Sequence, residues 1–353
     1  MVINFILPGY SSCPGGGLKI MYEYANRLSL MGNDVMIYHA MNVSRIKYKY
    51  PALLLYLKAK YNTYFGLPDW FEFNPSVKAT FINEIFDRNI RDADVIISTQ
   101  WTVALDVFRL SSSKGKKVNL IQGYETWIGN DINGLYESYK LPITHIVVSD
   151  YLSDIVFKVS GVKPSIIYNS VDDKGFNIKN SIEDRNPYTI SLLYSEQEFK
   201  GTKYAYEALV ECHKKHPMLQ VKMFGVYKKC IYISEWITYE RCPNNLCSLY
   251  NSTAIFLTTS LKEGWGLPAT EAMACGCAVV CTNVEGHTVF AHDKDTALLV
   301  DPKNVSQTVN SIMLLLDDNN YRINLAKRGN EYIKRFNWDM ACEKMNKIFK
   351  ELL

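Results

Sequence analysis

The chain has 353 residues, 48% of them apolar and 21% charged, with a formal net charge of +3. That length exceeds one ordinary hydrophobic core and suits two domains, and the composition is that of a globular protein rather than a disordered or fibrous one. The small net charge gives no basis for nucleic-acid binding, and the sequence contains no internal repeat and no uncharged apolar stretch of the ~18 residues that a membrane span needs.

The opening apolar run, Met1 to Pro8, is too short for a signal peptide and lacks a basic leader, so it is expected to be a first buried strand. Further strands are expected over 34–38, 77–81, 95–98, 118–122, 145–148 and 165–168. Amphipathic helices are clearest over 18–31, 101–111 and 151–159. Between them, Arg45, Lys47, Lys49, Lys58 and Lys60 alternate with tyrosines and leucines without an acid. Residues 45–61 therefore suit either an anionic membrane surface or a helix with a core-facing apolar side, and both readings stand. After Asn169 the polar stretch 171–187 reads as a linker. A second series of strands follows over 188–194, 220–224, 236–239, 254–258, 278–281 and 297–300. Closing helices are expected over 305–316, 321–336 and 340–353. Strands alternating with helices imply parallel sheets, hence an α/β chain of two doubly wound, Rossmann-like domains whose ligands sit in a cleft at the carboxyl ends of the strands. The expected division is 1–170, a linker 171–187, a second domain 188–336, and a helix 337–353 returning to the first.

The nine cysteines are scattered and odd in number. Cys275, Cys277 and Cys281 have no histidine at a matching spacing, and Cys242 and Cys247 have no second pair, so reduced buried thiols and no metal site are expected. Asp92-Ala-Asp94 and Asp293-Lys-Asp295 resemble metal-binding triplets, but Asp94 introduces a strand and reads as a junction residue. The chain has neither G-x-G-x-x-G with an acid after the second strand nor G-x4-G-K-[ST], which argues against nicotinamide oxidoreductases and phosphate-loop nucleotidases.

The richest chemistry lies in Thr259-Ser-Leu-Lys-Glu263-Gly-Trp-Gly-Leu-Pro-Ala-Thr-Glu271. Glu263 follows an apolar strand. Gly264 and Gly266 allow the backbone a tight turn and close approach to a ligand. Pro268 suits the start of a helix, whose free N–H groups and dipole favour a phosphate. Glu271 stands about one turn inside, from where its side chain leans back toward the helix start and toward vicinal hydroxyls such as those of a ribose. Two carboxylates beside a pyrophosphate need hydroxyl donors and a cation nearby, which fits a nucleotide-sugar better than a bare phosphate.

This E-x7-E pattern, with E-A-M-A-C-G and a strand behind it, resembles the donor-site signature of family 4 glycosyltransferases, retaining enzymes of the GT-B fold. The resemblance extends to the first ~40 residues, through Gly15-Gly16-Gly17 and Gly32-Asn-Asp-Val35. It implies that Glu263 contacts the donor sugar, that the backbone of Gly264, Trp265, Gly266 and Leu267 meets sugar and phosphates, and that Glu271 holds the ribose. Gly16 and Gly17 would cradle a phosphate, and Lys200 would offset the diphosphate charge. The family's Arg a few residues before that Lys is missing here, the nearest being Arg185, and its mid-domain His is replaced by Gln122-Gly-Tyr124-Glu125. Tyr124 and Glu125 are accordingly the acceptor-site candidates. The resemblance further implies a nucleotide-diphosphate-sugar donor without metal or cofactor, a glycan or lipid-linked acceptor, and a cytoplasmic location, peripheral on the membrane if 45–61 binds it. A non-catalytic sugar- or nucleotide-binding protein on the same fold is the alternative, and nothing in the sequence calls for the pyridoxal group of a sugar phosphorylase.

Overall fold

A computed structural model describes residues 1–46, 51, 53–54, 57, 67–172, 174–228, 230–232 and 234–353. The chain forms two compact units, Met1–Asn169 with Asp339–Leu353, and Ser170–Trp338.

In unit 1 the strands are β1 (Val2–Pro8), β2 (Asp34–Asn42), β3 (Lys78–Glu84), β4 (Val95–Thr99), β5 (Lys116–Ile121), β6 (Thr144–Val147) and β7 (Ser165–Ile166). They form one sheet in the order β3-β2-β1-β4-β5-β6-β7, every pairing parallel. The helices α1 (Gly16–Leu30), α2 (Trp101–Phe108), α3 (Ile132–Tyr139) and α4 (Asp150–Ser160) connect strands. β4 is buried at every position, as a parallel strand covered on both faces must be.

Unit 2 repeats the plan with β8 (Thr189–Leu193), β9 (Gln220–Gly225), β10 (Ile237–Arg241), β11 (Ile255–Thr258), β12 (Ala278–Thr282) and β13 (Leu298–Val300). Their order is β10-β9-β8-β11-β12-β13, again parallel throughout. The helices are α5 (Thr202–Lys215), α6 (Leu246–Asn251), α7 (Leu267–Ala274), α8 (Val305–Asp317) and α9 (Asn319–Ile333). A last helix, α10 (Trp338–Leu352), belongs to unit 1 from Asp339 onward. Its buried residues Ala341, Cys342, Met345 and Phe349 recur at helical spacing and make one apolar stripe.

Some expectations shift in detail. Helix α1 begins at Gly16, so Gly16 and Gly17 are its first two residues, after an extended Gly15 at φ −139° with no side-chain cap. The helix expected over 101–111 stops at Phe108, where Arg109 N and Leu110 N bond back three residues to Asp106 and Val107 at 3.2 Å each and tighten the last turn. Residues 171–187 are not a free tether: Ile182 packs into the core of unit 2, and Arg185 is buried beside it. All nine cysteines are free thiols, seven of them buried. Asp94 is indeed a junction residue, its carboxylate accepting from Val2 N at 2.7 Å. Of the basic segment, Lys47, Lys49, Lys58 and Lys60 lie outside the described residues, whereas Arg45 is paired with Asp131 at 3.3 Å and Glu137 at 2.7 Å.

Arg185 joins the second-unit elements at one end of its sheet. Its guanidinium donates to Thr253 O at 3.1 Å beyond the end of α6, to Asn180 O at 3.0 Å, and to Cys275 O at the end of α7 at 2.5 Å. Helix ends leave carbonyls unbonded, and one planar cation satisfies two such ends at once. Arg185→Met should therefore lower the unfolding free energy by about 3 kcal/mol or more, because buried carbonyls lose charged donors. Denaturant unfolding monitored on unit 2 tryptophans checks this, and a loss below about 1 kcal/mol would contradict the capping role.

Candidate functional site

In unit 2 the strand order reverses between β8 and β11, the place where doubly wound sheets open to a ligand at their carboxyl ends. The loops after these two strands are bonded together. Leu261 N donates to Phe199 O at 2.7 Å, and Thr259 Oγ1 donates to Gly201 O at 2.9 Å. Gly201 adopts φ +63°, and a Cβ there would lie 2.0 Å from Thr259 O, so only glycine permits this approach.

The junction brings Lys200 to Glu263. Lys200 Nζ donates to Glu263 Oε1 at 2.6 Å, and Ser260 Oγ donates to the same oxygen at 2.8 Å. Burial by itself would raise the Glu263 pKa, but the charge of Lys200, the neighbouring His287 and these hydrogen bonds outweigh it and hold the carboxyl below its ordinary range. Glu263 is therefore an anion at neutral pH. Lys200, Glu263, Gly266, Pro268, Ala269 and His287 line one pocket, above Leu192, Leu257 and Thr258 of the strands. Gly266 caps α7 at φ +107°, and Pro268 occupies its second position rather than the first.

The other candidates of this segment stand elsewhere. Trp265 is buried against Phe290 and Phe336, ring centroids 5.9 and 5.1 Å away, so its indole supports the loop from behind. Gly264, Leu267 and Glu271 do not line the pocket of Lys200 and Glu263. Glu271 is buried in α7, where Tyr250 O–H reaches its Oε2 at 3.4 Å. His287, not among the site candidates read from the sequence, also lines the pocket of Lys200 and Glu263. It follows β12, the neighbour of β11, and a histidine just beyond a strand at that place in the sheet was the available signal.

Unit 1 holds Tyr124 and Glu125 in the loop after β5. Glu125 Oε2 accepts from Trp101 N at 3.0 Å and so caps α2, whose preceding residue Gln100 has φ +71°. Burial pushes the Glu125 carboxyl up to about 7, against the lowering effect of that N–H. Tyr124 O–H is bonded to Tyr136 O–H at 2.8 Å, and burial first, then Tyr136, pushes it up to about 12. Gln122 Nε2 donates to Gly17 O at 3.1 Å and to Thr99 Oγ1 at 2.9 Å, fastening the start of α1 to the strand ends. Among the described residues no group of three His, Cys, Asp or Glu side chains is arranged to hold a metal ion, and no helix is long and apolar enough to cross a membrane.

Residues 176–332 match the family of glycosyl transferases group 1. The match includes Lys200, Glu263, Glu271 and His287 and spans a little under half of the chain. A D-inositol 3-phosphate glycosyltransferase of Corynebacterium jeikeium is 25% identical over 174 residues, which are 44% of this chain and 42% of that protein. The O-antigen chain mannosyltransferase B of Escherichia coli is 34% identical over 119 residues, 33% of this chain and 31% of that one. The matched parts thus span less than half the length of these curated relatives. Sucrose-phosphate synthase from Thermosynechococcus elongatus superposes with a TM-score of 0.76 at 16% identity, over 99% of this chain and 98% of that one. Anabaena HepE, solved with UDP and glucose, gives 0.76 at 13% identity over all of both chains. These likenesses show the fold: two Rossmann-like α/β units, as in GT-B proteins.

Replacing Lys200 by Met leaves Glu263 buried without its cation and should cost about 2 kcal/mol of stability at about pH 7. The folded-state pKa of Glu263 lies below its ordinary value of 4.5, so the pair's contribution is complete above that value and is lost as pH falls through the folded pKa. Urea unfolding of both proteins should show a gap that narrows as pH falls below 4.5; a gap independent of pH would separate Lys200 from the ionisation of Glu263.

Proposed function

We propose that the chain is a glycosyltransferase that moves a sugar from a nucleotide-diphosphate-sugar, bound by unit 2, to a hydroxyl of a glycan or lipid-linked acceptor. The observation that carries this reading is the Lys200–Glu263 pair at the switch point of unit 2, inside the stretch that matches glycosyl transferases group 1. A bound anion with hydroxyls is what such a pocket suits: the ammonium attracts diphosphate, and the ionised carboxylate accepts from sugar hydroxyls. Relatives named as a D-inositol 3-phosphate glycosyltransferase and an O-antigen chain mannosyltransferase support sugar transfer, and a structural neighbour solved with UDP and glucose supports the class of donor.

In this proposal Glu263 orients the sugar, the backbone of Gly264 to Leu267 follows sugar and phosphates, Lys200 stabilises the departing diphosphate, and Glu271 serves the ribose. Gly16 and Gly17 add N–H groups for a phosphate, and Tyr124 and Glu125 serve the acceptor. The reaction is retaining, as in family 4: the acceptor hydroxyl enters on the face from which the diphosphate leaves and passes its proton to a donor phosphate oxygen, without a metal. The acceptor belongs to cell-surface polysaccharide synthesis on the cytoplasmic side of a membrane. The exposed Leu53, Leu54 and Leu57 support peripheral contact through residues 45–61.

The second reading, a non-catalytic sugar- or nucleotide-binding protein, is favoured by one observation: Arg185 is committed to helix carbonyls, so it does not supply a second cation beside Lys200.

A thermal-shift screen with UDP, GDP, dTDP, ADP and CMP and their common sugar forms should show stabilisation by one diphosphate that weakens in Glu271→Ala. With the matching sugar nucleotide, Glu263→Gln should lose about 100-fold in turnover while still binding the bare diphosphate. Binding without turnover in the wild type, across acceptors, would leave the second reading; an inverted product would remove the retaining assignment.

A further inference from the structure

His287 is fully buried, lines the same pocket as Lys200 and Glu263, and is engaged on one side only. Its Nδ1 lies 2.9 Å from Thr282 O. A carbonyl oxygen can only accept, so Nδ1 carries the hydrogen and donates it. The other ring nitrogen, Nε2, is shielded from solvent and has no hydrogen-bond partner. Burial above all, with the charge of Lys200, lowers the imidazole pKa, while Glu263 and the Thr282 bond oppose that change. The ring is neutral at physiological pH and presents Nε2 as a bare lone pair.

The surroundings make room for this edge of the ring. A Cβ on Gly266 would lie 2.9 Å from Nε2 and 2.7 Å from Cδ2, so glycine is required where the imidazole meets the loop. Thr282 is itself held, its hydroxyl donating to Ser260 O, and Ser260 in turn donates to Glu263 at 2.8 Å. The imidazole and the Glu263 carboxylate are therefore positioned by one hydrogen-bonded chain across β11 and β12.

We propose that His287 Nε2 accepts a hydrogen bond from a hydroxyl of the donor sugar, and that this contact makes the pocket prefer the sugar-bearing nucleotide over the bare diphosphate. The inference rests on the donor-site reading above and deepens it. An ionised phosphate oxygen carries only lone pairs and would face Nε2 lone pair to lone pair, whereas a hydroxyl brings a hydrogen. The pocket thus has two chemically distinct sides. Lys200 offers hydrogens and positive charge to phosphate, and Glu263 with His287 offers acceptors to hydroxyls. A sugar lacking the hydroxyl that meets Nε2 leaves that nitrogen buried and unbonded, which is the stronger form of discrimination available to a polar pocket.

The test is isothermal titration of the full chain with UDP and UDP-glucose, GDP and GDP-mannose, and dTDP and dTDP-rhamnose. In His287→Asn the shorter amide can keep the bond to Thr282 while removing the acceptor. For whichever pair binds the wild type, H287N should bind the bare diphosphate as before and the sugar form about 10-fold more weakly. H287Q, whose amide oxygen reaches toward the Nε2 position, should recover most of that preference. Should H287N fail to fold, H287L carries the same expectation as H287N. An unchanged preference in the variant lacking the acceptor, or an equal loss for both ligands, overturns the proposal. Absence of binding by every pair to the wild type instead removes the donor-site reading, and this inference with it.

Discussion

A carboxylate that leaves water stays charged only where a cation or hydrogen-bond donors offset its burial, and the arrangement of unit 2 follows from where Glu263 finds its cation. Lys200 and Glu263 are 63 positions apart in the chain and 2.6 Å apart in space. What joins them is the reversal of strand order between β8 and β11, which sets the loops after these strands side by side. The approach is closed by backbone bonds between the loops and by a glycine with no Cβ to clash at Thr259. With the pair formed, Glu263 stays charged despite its burial, and the segment after it turns through Gly266 into α7.

Much of this was legible in the sequence because the periodicities were strong. Short apolar runs such as 278–281 and 95–97, bounded by turn residues, read as strands buried on both faces, and their alternation with helices implied two parallel sheets. The 259–271 segment declared a loop, a helix start and two carboxylates by composition alone. Helix ends were less legible, because they depend on local bonding: three-residue hydrogen bonds cut α2 short at Phe108, and extended Gly15 lets α1 start at Gly16. Side-chain direction was not legible at all. Trp265 and Glu271 lie within nine residues of Glu263, yet one packs behind the loop and the other into α7 beside Tyr250. His287 was hidden for the opposite reason, since only the adjacency of β11 and β12 brings its loop to the pocket.

The two basic residues that the sequence offered for one task do different physical work. Lys200 is a compact ammonium on a flexible stem, bonded to one carboxylate and facing a pocket. Arg185 spreads a planar donor set over carbonyls at the ends of α6 and α7, a geometry that an ammonium cannot reproduce. Position before rather than after β8 decided between the roles, because residues preceding a strand stand at the opposite end of the sheet from the pocket. Glu125 shows the same principle in unit 1: a carboxylate read as a site residue also caps a helix, and its burial brings its proton equilibrium to about 7.

Helix α10 is encoded after the whole of unit 2 yet packs into unit 1, with Cys342 next to the buried Tyr24 of α1. A chain made from its N-terminus therefore cannot finish its first-made unit first. The seven-stranded sheet can assemble early, but one strip of its apolar covering arrives only after residues 170–338 have left the ribosome. During that interval unit 1 exposes the surface that Ala341, Cys342, Met345 and Phe349 later cover. The order of synthesis thus adds an interval of apolar exposure that the stability of either finished unit does not reflect.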